Sequence, residues 1–160
     1  MMKALSLWQP HALAIALGLK PFETREWATG YRGPLAIHAS LRKWTDTDPW
    51  SVEARRRLDL YVRQHGPVEM VYGAVICTVN VVDDIRTDLL RGRIAPEHEF
   101  WGDFSDGERG LGRYAKKLTE VCMLPKPLYT RGFQGFFEVD LEASNKVAAA
   151  GTLPLFGEVQ

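Results

Sequence analysis

The chain has 160 residues, with 20 basic and 20 acidic side chains, and is 46% hydrophobic. That length suits one domain with a real core, and zero net charge removes any overall field pressing the protein onto nucleic acid or membrane. No run approaches the roughly eighteen apolar residues of a membrane span, and the apolar stretch after Met1 is interrupted by Trp8, Gln9, Pro10 and His11, unlike a secretory leader.

Lys3 to Leu7 alternates like a short strand that ends at Trp8-Gln9-Pro10. Pro10 fits a first helical position, and His11 to Leu17 is apolar nearly all round, which predicts a buried helix. Gly18 suits its C-terminal cap, because without a Cβ it enters the left-handed region unstrained. Pro21 then blocks further helix and presses Lys20 toward an extended conformation. If residues 22–25 form a strand, Glu23 and Arg25 share a face, with Lys20 at its entrance. An ammonium, a carboxylate and a guanidinium then meet in one small volume, either as a surface ion-pair cluster or as a site.

Leu35 to Ala39 reads as a strand with Leu35, Ile37 and Ala39 on one face and His38 on the other. Asp48-Pro49 is a helix start and Gly66-Pro67 a stop. Between them Trp50, Ala54, Leu58 and Tyr61 or Val62 form a narrow apolar stripe, and Arg55, Arg56, Arg57 and Arg63 are expected on a solvated face. Val71 to Val82 is apolar on both alternating faces, as in a central strand. Residues 91–112 lack periodicity and read as a lid or a mobile excursion. Glu97-His98-Glu99 is not expected to hold a metal, since adjacent residues rarely chelate one ion. Residues 113–123 and 133–141 read as closing strands separated by a turn at Pro125-Lys126-Pro127. Cys77 and Cys122 lie in apolar runs without CxxC spacing, so both are expected as buried thiols of a cytoplasmic protein.

The stretch Gly18-Leu19-Lys20-Pro21-Phe22-Glu23-Thr24-Arg25 matches G-x-K-x-x-E-x-R and resembles the ASCH domain family of the PUA-like superfold. Leu5 to Pro10, Tyr31 to Ala39 and Gly132 to Phe136 resemble the same family in the same order. The resemblance implies an α+β fold over residues 1–142: a small, mostly antiparallel barrel of five or six strands with two flanking helices. It implies a ligand cleft with Lys20, Glu23 and Arg25 as the reactive centre and Trp8, Gln9, Tyr31, Arg32 and His38 around it. Arg42 and Lys43 add to the local supply of cations. Residues 1–44 hold six Lys/Arg against two Glu, a local net of +4.

Aromatic faces stack on bases, cations meet phosphates, and Gln or Glu reads a base edge. The expected ligand is therefore single-stranded nucleic acid or a nucleotide, with cleavage an open question and no cofactor or metal. The alternative implied by the family is an amidohydrolase that deacylates N4-acylated cytidine. In those enzymes a threonine stands where this chain has Glu23, so any such chemistry here is altered. After Glu142 small residues suggest a tether carrying Leu153, Leu155 and Phe156. That tail either folds back on the domain or docks on a replication sliding clamp, whose bacterial peptides end similarly.

Overall fold

The computed structural model describes residues 1–142. The expected tether and its Leu153, Leu155 and Phe156 lie outside the described residues. The elements in chain order are β1 (Met2–Leu7), α1 (His11–Ala16), β2 (Phe22–Arg25), β3 (Gly33–Ala39), α2 (Pro49–His65) and β4 (Ala74–Arg86). They continue with α3 (Thr87–Leu90), α4 (Pro96–Glu99), β5 (Tyr114–Tyr129) and β6 (Phe136–Val139).

The strands form one six-stranded sheet in the order β2-β5-β4-β3-β1-β6. The fold is α+β, but the sheet is mixed and is not closed into a barrel. Strands β1 and β3 run parallel, and the remaining pairings are antiparallel. Closure would require β2 to meet β6. The β2 edge instead takes the excursion after β4, where Phe104 packs edge-on against Phe22 with ring centres 6.2 Å apart. That excursion is therefore no free lid: Trp101 is 2% exposed and packs with α1 and α2.

Three layers result. Ala12, Ile15 and Ala16 of α1 press on Leu5, Leu35, Ile37 and Val79 of the sheet. Leu13 and Ala14, on the opposite side of α1, meet Ala54 and Leu58 of α2 together with Trp101. A helix so enclosed needs to be apolar all round, as its sequence is. Helix α2 begins where its cap demands: the Asp48 carboxylate accepts from the Ser51 amide at 3.0 Å. On its solvated face Arg56 and Arg57 both pair with Glu53, and Arg55 pairs with Asp46.

Strand β5 runs straight through the expected turn at Pro125-Lys126-Pro127. Opposite it the register jumps from Val75↔Leu128 to Cys77↔Met123, so both prolines fall in a bulge where no ladder hydrogen bond is required of them. Cys77 is buried, with its thiol pushed up to about 12 by burial, whereas Cys122 is exposed, contrary to expectation. Cys122 lies where that irregular half of β5 projects beyond the covered face. No helix among the described residues is long and apolar enough to cross a membrane.

Candidate functional site

The turn after α1 places the first reactive group. Gly18 adopts φ +75°, and the amides of Leu19 and Lys20 both donate to the Ala14 carbonyl, at 2.9 and 3.1 Å. That tight exit points Lys20 inward, where it is 3% exposed. Its ammonium donates to the Trp101 carbonyl and lies 3.3 Å from Glu23 Oε2. Arg25 Nε donates to Glu23 Oε1 at 2.7 Å, and Arg25 Nη2 to the Ser6 carbonyl at 3.0 Å. Lys20, Glu23 and Arg25 are thus brought together as one cluster.

Two cations share one carboxylate here. Burial alone would push Glu23 up, but Lys20 and then Arg25 outweigh it and hold the carboxyl below its ordinary range. Burial pulls the Lys20 ammonium down from 10.5, against the opposing attraction of Glu23. The arrangement is a desolvated lysine whose proton is held less tightly than usual, beside a carboxylate that stays ionised.

His11, at the start of α1, joins the cluster. Its ring stacks on Trp50 with centres 5.0 Å apart, and its buried Nδ1 has no hydrogen-bond partner among the described residues. Burial, and next the Lys20 charge, lower its pKa from 6.5 to about 4, so the imidazole is neutral at neutral pH. A base that binds its proton more weakly in the folded chain destabilises the fold when protonated. Stability is therefore expected to fall as pH drops from 6.5 towards 4, by on the order of 3 kcal/mol at about 1.4 kcal/mol per pH unit. Chemical denaturation of wild type and His11→Gln across that window checks it, since the variant should lose most of the slope.

These groups lie in a cleft of about 1190 Å³. Ser6, His11, Lys20, Glu23, Trp101 and His38 line it, together with the loop from Thr130 to Gly135. Two aromatic rings stand exposed at its walls, Trp8 at 58% and Phe133 at 53%. Each has a guanidinium over it: Arg42 lies 3.6 Å from the Trp8 ring centre and Arg131 lies 5.2 Å from that of Phe133. On the excursion side Arg113 Nε lies 3.5 Å from Asp103.

Five expected ligand residues do not line the cleft. Gln9 is buried and spends its whole amide on the scaffold, donating to the Val71 carbonyl at 2.8 Å and accepting from the Leu13 amide at 2.9 Å. A buried amide has to be satisfied this way. The Tyr31 hydroxyl donates to the Pro34 carbonyl and its ring packs on Phe136. Arg32 pairs with Asp83 at 3.3 Å, and Lys43 sits 4.0 Å over the Tyr72 ring. Arg42 reaches the site only through Trp8.

Ser6, His11, Trp101, Asp103, Arg113, Arg131 and Phe133 join the cleft without being expected there from the sequence. Only His11, a polar residue in an otherwise apolar helix, carried a local signal. Trp101 enters from an aperiodic segment 81 residues beyond Lys20.

The chain is similar to ASCH from Zymomonas mobilis, with 16% identity, 92% of this chain and 94% of that chain covered, and a TM-score of 0.53. A tyrosine-to-phenylalanine mutant of that protein matches over 92% of this chain and 96% of its own, also at 16% identity and a TM-score of 0.53. A serine-to-alanine mutant matches over 93% and 95%, at 16% identity and a TM-score of 0.52. The chain has an ASCH-like fold. No protein-family model matches it, and no curated protein does either.

Proposed function

We propose, from an ASCH-like fold built around this cleft, that the chain binds single-stranded nucleic acid or a nucleotide there. The observation that carries the reading is the pair of exposed rings, Trp8 and Phe133, each accompanied by a guanidinium, in a cleft that also holds Lys20, Glu23 and Arg25. Stacking on an aromatic face is tolerant of base identity and contributes about 1–3 kcal/mol per base. The buried cluster offers a carboxylate and a cation to base edges, and the arginines over the rings meet the backbone.

Fluorescence anisotropy with labelled single-stranded RNA and DNA tests it. Trp8→Ala and Phe133→Ala are each expected to weaken binding by about 5- to 150-fold, the equivalent of 1–3 kcal/mol of lost stacking. Absence of binding to any oligonucleotide or nucleotide would sink the reading.

The salt dependence separates phosphate contacts from base contacts. Lys20 and Arg25 are committed to Glu23, and Arg32 to Asp83, so Arg42 and Arg131 are the cations best placed for phosphates. Two contacts on a single strand give a slope of log K against log salt of about −1.4. A slope near zero would identify a free nucleoside or nucleotide ligand instead.

Turnover is the second reading, and the specific observation in its favour is Lys20. A lysine with a weakened hold on its proton, 3.3 Å from a carboxylate, suits proton transfer better than phosphate binding. Incubation with N4-acetylcytidine and with labelled RNA, followed by product separation, distinguishes deacylation from strand cleavage.

A further inference from the structure

Away from the Lys20 cluster, a second chemical arrangement sits in the same cleft. Parallel pairing of β1 with β3 sets Ser6 directly beside His38. Ser6 Oγ lies 2.9 Å from His38 Nδ1, and His38 Nε2 lies 2.9 Å from the Thr130 carbonyl. A carbonyl only accepts, so Nε2 carries the ring proton and Nδ1 is the free lone pair. The Ser6 hydroxyl therefore donates to His38. This is the order nucleophile, base, orienting group that covalent catalysis requires.

The surroundings complete it. His38 is 2% exposed and burial lowers its pKa, which keeps the ring neutral and able to take a proton. Phe137 packs edge-on to it, with ring centres 5.8 Å apart, and holds its plane. Gly132 presses so close that a Cβ there would lie 2.7 Å from His38 Nδ1 and 2.9 Å from Ser6 Oγ, so only glycine fits over the pair. Arg25 holds the Ser6 backbone through its carbonyl, and Arg131 lines the same cleft and supplies positive charge for a developing oxyanion.

We propose that Ser6 and His38 form a nucleophile–base pair that cleaves a short carboxylic ester or amide bound in the cleft. Ser6 Oγ attacks the carbonyl carbon while its proton passes to His38 Nδ1. The bond to the leaving alcohol or amine breaks, and that group departs with the proton from His38. The acyl group is left on Ser6 as an ester. Water then attacks the same carbon, gives a proton to Nδ1, and the carboxylic acid leaves as Ser6 Oγ recovers its proton. No step uses Lys20 as nucleophile, and none depends on nucleic-acid binding.

The probe is p-nitrophenyl acetate with the full chain, quenched in acid and mapped by peptide mass spectrometry. The expected result is a burst of p-nitrophenolate and an acetyl group on Ser6. Ser6→Ala should remove both with the melting temperature unchanged. His38→Gln should slow acylation by about 100-fold or more, the usual contribution of a general base. Should that variant fail to melt cooperatively, the wild type decides: its acylation rate should hold at neutral pH and decline only as pH falls below the ordinary histidine value of 6.5, where the imidazole takes up a proton. An unmodified Ser6, an acetyl group on Lys20 alone, an unchanged rate in a folded His38→Gln, or a flat pH profile would each overturn the proposal.

Discussion

Lys20→Met is expected to destabilise the fold by about 3–5 kcal/mol and to abolish ligand binding in the cleft, because it breaks a buried ion pair by removing the more deeply buried of the two cations on Glu23. Glu23 is 6% exposed and would keep Arg25 as its remaining partner, at 26% side-chain exposure, while the Trp101 carbonyl loses its donor. The sequence alone places this lysine at the entrance of the site, where a side chain contributes little to the fold. Its burial changes that expectation. Adding Glu23→Leu to the variant separates the two effects, since an apolar pair of similar volume is often as stable as the buried ions it replaces. Urea denaturation should then recover while anisotropy stays flat. Recovery of binding in the double variant would show that the cluster only holds the fold.

The same variant predicts a sign in pH. Glu23 titrates below its ordinary 4.5 in the folded chain, so its contribution is present above that value and is lost as pH falls through the depressed one. This window opens at the foot of the one assigned to His11, so the His11 loss is expected to come first.

Asp84→Ala is expected to cost a further case of about 3–5 kcal/mol, with no direct effect on ligand affinity. Lys116 is fully buried, and its ammonium donates to Asp84 Oδ1 at 3.1 Å and to the Trp27 carbonyl at 2.9 Å. Asp84 Oδ2 also accepts from the Thr29 amide at 2.6 Å, so the truncation leaves two donors without it. Lys116 pairs across the sheet with Glu23 yet does not line the cleft. Asp84→Ala thus serves as the stability-matched control for Lys20→Met: both should melt early, and only the lysine variant should lose ligand under conditions where both remain folded. Equal loss of affinity in the two would mean that the cleft responds to general loosening and not to Lys20.

Much of the local structure was legible. Gly18 after an apolar run, Asp48 before Pro49, and the two-residue spacing of Glu23 and Arg25 each act within a turn or a strand, where backbone sterics and side-chain period decide the outcome. His38 opposite Leu35, Ile37 and Ala39 follows from the same alternation. Those features bring Lys20, Glu23 and Arg25 together without knowledge of any distant residue.

What encloses the cluster was not legible, because it depends on which strands become neighbours and in what register. Ser6 meets His38 only through the parallel β1–β3 pairing, and the loop at Thr130 reaches His38 from 92 residues away. Open sheet edges decided against the barrel, once Phe104 had taken the β2 flank. Gln9 and Tyr31 look like ligand-reading groups in the sequence, yet burial obliges Gln9 to satisfy its amide on the backbone, and the Tyr31 hydroxyl is spent on the Pro34 carbonyl. Composition and period determined α1 and α2, the strand faces and the meeting of Lys20, Glu23 and Arg25, but not the short helices α3 and α4. Chain path and register, which no local propensity encodes, decided that Trp101 would hold the lysine and that Ser6 would stand beside a neutral histidine.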